Sequence, residues 1–366
     1  MTFCRMRLGW TAAALALALA SSAAQTNPKF WSFKRPIEAQ PVITPDPQAT
    51  FDCPLAGKTL HWEATHAFNP AAVVKDGKIW VIYRAEDETG TGIGGYTSRL
   101  GIASSTDGIH FKRFPKPVLY PDRDSQQSVE WPGGCEDPRC LELENGTYAV
   151  FYTQYSRAAD GSAHTQLGLA TSKDLFHWDK KGPVKGTGSN GESVVPLKSA
   201  SLITEVRHGR VIAKRIDGKY WLFYGVGTIR LLTSTDLKTW QIVPNFELKP
   251  RPGKFDSALV ECGPPAILTG SGITLFYNGM NSEGSDRDPK LGPLAYSGGQ
   301  AVFDPKDPTH LIARTETPFI SPVLPWESIG QYARGTTFLE GLVLFKKHWF
   351  LYYGCADTYV GVAIRN

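Results

Sequence analysis

Five times the chain runs an apolar strand into a tight turn and out into a second strand that ends in tyrosine. The first unit is Ala71-Ala72-Val73-Val74, a turn at Asp76-Gly77, and Ile79 to Tyr83. The second turns at Asn145-Gly146 and closes with Tyr148 to Tyr152. The third turns at Asp217-Gly218 before Tyr220 to Tyr224, and the fourth at Ser271-Gly272 before Ile273 to Tyr277. The fifth turns at Lys346-Lys347 and ends with Trp349 to Tyr353. Asn-Gly and Asp-Gly between apolar runs are strong hairpin signals, because both turn residues must adopt positive φ. Recurrence at this scale points to an array of like units.

A second element follows three of the hairpins: Ile102 to Asp107, Leu169 to Asp174 and Leu232 to Asp236, each ending in a Ser-x-Asp step. An aromatic comes after each (Phe111, Trp178, Trp240), placed to pack between neighbouring units. Successive turns lie roughly 55 to 75 residues apart, room for four strands per unit. No amphipathic helix of ordinary length interrupts them. The expected fold is an all-β, five-bladed β-propeller over residues 51–366, closed on itself so that only short strand edges remain.

Residues 1–24 carry a different signal. Arg5 and Arg7 precede an apolar Ala/Leu run from Thr11 to Ala20, and Ser22-Ala23-Ala24 offers small residues for cleavage. That order describes a secretory signal peptide, and ten apolar residues are too few for a span that needs about 20. A periplasmic or secreted protein, with no membrane contact after cleavage, is expected. Removal of the two arginines lowers the formal net charge from +4 to +2. The basic residues are scattered, which argues against nucleic acid as a partner. Residues 25–50, rich in Pro, Gln and Thr, read as an extended arm without a core of its own. Cys53, Cys135, Cys140, Cys262 and Cys355 remain, an odd number with no zinc-type spacing, and most are expected to act as small buried hydrophobes.

In a propeller the first strand of each blade lines the central channel. Unusual polar residues cluster just before those strands: Asn69-Pro70, Glu136-Asp137-Pro138-Arg139, Lys198-Ser199, Glu261-Cys262-Gly263-Pro264-Pro265 and Glu340-Gly341. Five chain-distant segments are therefore expected to meet in one pocket. Facing carboxylates in a polar pocket suit glycoside hydrolysis, where one acid protonates the leaving oxygen and another carboxylate activates water. Tyr83-Arg84-Ala85-Glu86-Asp87 adds a cation and two acids that can fork hydrogen bonds to sugar hydroxyls. No nucleophile elbow, zinc-protease helix, phosphate-binding glycine loop or dinucleotide fingerprint is present, and the histidines lack ligand spacing. No organic cofactor and no metal is expected. Gly90 to Gly95 reads as a mobile loop at the pocket rim.

With those motifs assembled, the chain resembles glycoside hydrolase family 130. The resemblance rests on Asn69-Pro70-Ala71, Tyr83 to Asp87, Ser105 to Phe111, Glu136 to Arg139 and Tyr353-Gly354-Cys355-Ala356-Asp357. It implies a five-bladed propeller that cleaves β-mannosides with inversion, by water or by phosphate. It makes Asp137 the general acid and places Arg84, Asp87 and Asp357 on the terminal mannose. Asn69, Glu136, Arg139 and Lys198 join them as expected substrate contacts. Phosphorylases of the family carry a His-Arg pair where this chain has Tyr224-Gly225. Hydrolytic members carry glutamates in this region, which makes Glu261 the first choice of base and Glu340 the second. A further glutamate is expected after Tyr224-Gly225, where Val226 stands. The expected activity is exo-β-mannosidase, with a mannoside phosphorylase or a non-catalytic mannoside-binding propeller as alternatives. The linkage, β-1,2 or β-1,4, the leaving sugar and the oligomeric state stay open.

Overall fold

The computed structural model describes residues 1–2, 30–36 and 40–366; the expected signal segment therefore lies outside the described residues except for Met1 and Thr2. The chain is a five-bladed β-propeller. The first blade runs His66–Lys75, Lys78–Glu86, Ser98–Ser105 and Lys112–Arg113, each antiparallel to the last. The second repeats this with Gly134–Glu142, Tyr148–Arg157, Ala163–Ser172 and Asp179–Pro183. The fourth closes with Gly272–Met280, Tyr296–Phe303 and Leu311–Arg314. The fifth has Phe338–Phe345, His348–Cys355 and Tyr359–Arg365. Its outer edge is covered by the N-terminal arm, through bridges Lys34↔Ile364 and Ile43↔Val360. The arm buries Trp31 and Phe33 against Phe276 and Trp349, so two apolar residues in a polar segment fasten the ring.

Turn chemistry follows sequence in three hairpins and departs in two. Asp76-Gly77, Asp217-Gly218 and Lys346-Lys347 all take positive φ at both positions. At Asn145-Gly146 only the glycine does, because the loop is one residue longer and closes from Leu143 to Thr147. The fourth turn sits at Gly270-Ser271, one residue before the expected place, since Thr269 pairs with Gly272. The Ser-x-Asp steps form one repeated device. Ser105 Oγ accepts the N–H groups of Asp107 and Gly108, and Asp107 Oδ1 accepts those of Ile109 and His110. Ser172 with Asp174, and Ser234 with Asp236, do the same. The aromatics after them pack between blades: Phe111 on Tyr352, Trp240 on Phe151.

The repeated tyrosine of the second strand has a structural purpose in four blades, in each of which the strand runs on past it. Tyr83, Tyr152, Tyr277 and Tyr353 donate to Glu63, Glu130, Asp256 and Glu327 at 2.7 to 2.9 Å. Each of these buried carboxylates also meets a cation from the outer edge of its blade: Arg113, Lys180, Arg314 and Arg35. Each tyrosine lies opposite a glycine on the third strand, Gly101, Gly168, Gly299 or Gly361, and a Cβ at Gly101 would stand 2.6 Å from the Tyr83 ring. In the fifth blade the cation comes from the arm, which thus replaces a fourth strand in chemistry as well as position.

The third blade differs. Its inner strand, Ala200–Arg207, turns at His208-Gly209 into Arg210–Ala213 before the chain reaches Arg215–Ile216 and the Asp217-Gly218 turn. Only Ala200 to Leu202 pair with the following strand, Lys219–Tyr224. Tyr224 lies opposite Arg230, with neither glycine nor carboxylate partner.

Candidate active site

The sequence places the polar residues before the inner strands; the structure places most of them within those strands, at breaks. The first blade slips register between Phe68 and Pro70, the second between Glu136 and Arg139, the fifth between Leu339 and Gly341. The fourth inner strand splits into Leu259–Cys262 and Ala266–Thr269 around Gly263-Pro264-Pro265. Asn69, Asp137 and Ser199 hold φ of 45°, 46° and 60°, and Ala356 and Asp357 hold 47° and 50°. Such backbone costs about 1–3 kcal/mol per non-glycine residue and concentrates at functional sites. A bulge re-aims a side chain out of the sheet, and here it turns carboxylates toward the axis.

They line a cavity of about 340 Å³ at that end of the propeller. Towards the other end the axis is filled by Ala72, Cys140 and Leu342, leaving a void of only about 20 Å³. Arg84 is the hub. Its Nη1 donates to Asp137 Oδ1 at 3.2 Å, and Nη2 lies 2.6 Å from Glu86 and 2.9 Å from Glu136. Its Nε donates to Ser98 Oγ, and Phe68 packs beneath the guanidinium. Asn69 Nδ2 donates to the same Asp137 oxygen at 2.8 Å.

One guanidinium cannot neutralise three carboxylates, so they divide. Burial, with Asp137 and Glu86 nearby, pushes Glu136 up to about 7. Burial works against Asp137 too, but Arg84, Lys198, Arg139 and the Asn69 hydrogen bond outweigh it and hold Asp137 at about 2. Burial thus favours a proton on Glu136, while the surrounding cations favour the ionised form of Asp137. Asp357, across the cavity, is raised to about 6 by burial and by Asp137.

Not every expected residue reaches the cavity. Asn69, Arg84, Glu136, Asp137, Lys198 and Asp357 line it. Asp87 does not: its carboxylate is bound by Arg99 and by Thr89 of its own loop. Arg139 does not either. It donates to the Asp137 and Cys262 carbonyls and pairs with Glu340, bolting the second, fourth and fifth blades together beneath the floor. Glu340 is fully buried there, and burial, with Asp137 and Glu261 near, raises it well above the carboxylate range despite Arg139. Glu340, like Glu261, lies outside the residues that line the cavity, and its ion pair is with Arg139. Glu261 is also fully buried, opposite Val226, with one oxygen held by Lys198 and Ser199 and its Oε2 unpartnered.

Other lining residues escaped the sequence reading. Tyr296, Tyr332 and Phe338 form an edge-to-face aromatic wall, and Gln331, which is not itself a lining residue, donates to Glu86. They come from the irregular connection before the fifth blade or from strand ends, outside the hairpin repeat. Thr153 and Tyr155 did carry a signal, since the second strand continues in alternation past Tyr152. The glycine-rich loop lines the rim through Ile93 and Gly94. Cys53, Cys135, Cys140, Cys262 and Cys355 are all buried and unpaired. Among the described residues no cluster of three or more side chains could hold a metal ion.

A propeller whose inner strands break to gather carboxylates around one arginine defines a carbohydrate-cleaving enzyme. The chain belongs to glycoside hydrolase family 130: the family model, described as β-1,4-mannooligosaccharide phosphorylase, matches residues 33–366. The family acts on mannosides. A 1,2-β-oligomannan phosphorylase of Thermoanaerobacter is 34% identical over 305 residues, covering 83% of this chain and 90% of the relative. A solved structure from work on family members that hydrolyse β-1,2-mannosidic linkages in Candida mannan is 47% identical, with a TM-score of 0.87 over 92% of this chain and 94% of that one. A glycosyl hydrolase from Bacteroides ovatus is 45% identical, with a TM-score of 0.86 over 92% and 94%.

Proposed function

We propose that this enzyme removes mannose from the non-reducing end of β-1,2-linked mannosides by inverting hydrolysis. The observation that carries the choice of water is the state of the cations. Both cations lining the cavity are already committed, Arg84 to Glu86, Glu136 and Asp137, and Lys198 to Glu261. A phosphate dianion needs uncommitted cations or N–H donors, and the carboxylates here would repel it. In this reading water attacks C1 from the face opposite the glycosidic oxygen and the C1–O bond breaks. The leaving oxygen takes a proton from the Glu136 and Asp137 pair, delivered at Asp137, and the proton lost by water goes to Glu261 through its unpartnered Oε2. Lys198, in the cavity wall above Glu261, must swing aside for that contact. The β-1,2 linkage is taken from the relatives of that specificity.

Phosphorolysis is the second reading, and the curated relatives favour it, since a 29% identical relative is also a β-1,2-mannobiose phosphorylase. Incubation with β-1,2-mannobiose, with and without inorganic phosphate, separates the two. Hydrolysis gives mannose at a rate indifferent to phosphate; mannose 1-phosphate appearing only with phosphate would establish the second reading. Export belongs to the same proposal, and recovery from the periplasm of a chain beginning near Gln25 is its expected outcome.

A further inference from the structure

The cavity changes character from its floor to its mouth. Three polar side-chain atoms near the floor have no partner: Asn69 Oδ1, Thr153 Oγ1 and Thr336 Oγ1, on residues exposed by no more than 5%. All three residues line the cavity, so this part of its wall is polar. The mouth carries the opposite chemistry. Ile93 and Leu197 are 66% and 56% exposed, and both line the same cavity.

Exposed aliphatic residues scattered singly need no explanation. These two are held in place. Ile93 sits on a folded glycine knot, in which a Cβ at Gly90 would stand 2.3 Å from the Gly95 carbonyl and one at Gly95 2.1 Å from that of Thr91. The second blade clamps the knot: Tyr155 Oη and Arg157 Nη1 donate to the Gly94 carbonyl at 3.0 and 2.6 Å, and Arg157 also reaches Tyr96. Leu197 follows Pro196, whose carbonyl accepts the Leu167 N–H of the same blade at 2.7 Å. Two apolar side chains from different blades are thus presented beside the end of the second blade, near Tyr155 and Thr165.

We propose that Ile93 and Leu197 form an apolar clamp for the leaving-group sugar, gripping the C–H face of the pyranose next to the scissile bond. The inference deepens the β-mannoside reading and rests on it. An enzyme that holds the terminal mannose on the polar floor leaves the next sugar at the mouth, where these side chains stand. Covering them on binding removes apolar surface from water, while hydroxyls at the ring edge stay solvated. The clamp therefore selects for a second sugar rather than for its substituents.

The test is steady-state kinetics on β-1,2-mannobiose, with free mannose as competitive inhibitor, for the wild type and Ile93→Ser/Leu197→Ser. Both positions are exposed, so folding is undisturbed, and unchanged mannose inhibition confirms an intact floor. The clamp predicts a KM about tenfold higher with the mannose inhibition constant unchanged. An unchanged KM in an enzyme that cleaves mannobiose overturns the clamp alone, as does a parallel loss of mannose inhibition. A wild type that cleaves no mannoside, with or without phosphate, takes the underlying reading down with it.

Discussion

The third blade and the other four solve the same packing problem differently. Four blades carry within their second strand a tyrosine bonded to a buried carboxylate, which is paired with a cation from the outer edge. The third keeps the tyrosine but drops the acid and the glycine, and its inner hairpin is split. It is also the blade that contributes Lys198, Ser199 and Val226 around Glu261. Part of the surroundings of Glu261 therefore comes from the blade that lacks the structural triad.

The comparison is most sharply broken in activity. Asp137→Asn should lower turnover by at least 10²–10⁴ while leaving the melting temperature near that of the wild type, because proton transfer is lost and the fold is not. Retained turnover would remove Asp137 from the acid role. Removing an acid from a bolted blade should do the reverse. Glu130→Ala leaves Lys180 and Tyr152 without their partner and should cost about 3–5 kcal/mol in denaturant unfolding. A smaller and more specific contrast comes from tyrosine alone. Tyr83→Phe, Tyr152→Phe, Tyr277→Phe and Tyr353→Phe should each cost about 1–3 kcal/mol by stranding a buried carboxylate, whereas Tyr224→Phe should cost less than about 0.5. Equal losses in all five would erase the distinction.

The gentlest probe is pH. Glu63 in the first blade and Glu136 in the site are both raised to about 7, chiefly by burial, and Asp357 to about 6. In the unfolded chain these acids ionise near 4, so between about pH 4 and 7 the folded state binds more protons. Stability should fall as pH rises through that window and level off above it. kcat/KM should also decline above about pH 7 as Glu136 loses its proton, and Glu136→Gln should move that limb.

Much of this was legible in the sequence because it is local. Turn residues, strand alternation and the Ser-x-Asp steps involve neighbours in the chain, and they place the five inner strands. The acidic segments could be located but their geometry could not: Pro70 and Pro138 mark the breaks, yet a bulge within a strand and a loop before it read alike. What failed was long-range. Arg35 and Glu327 are 292 residues apart, and nothing at either position announces the other. Arg139 looked like a sugar ligand because it follows Asp137, and only the carbonyl of Cys262 from the fourth blade shows that it is a bolt. Glu261 and Glu340 occupy similar sequence positions, but one faces Lys198, which lines the cavity, and the other Arg139, which does not.

The central claim is that water, not phosphate, receives the mannosyl group. Cleavage of β-1,2-mannobiose in ¹⁸O-labelled water, with phosphate present, tests it in one step. The account predicts that released mannose carries the label at C1 and appears first as the α-anomer. Unlabelled mannose 1-phosphate as the product would contradict it.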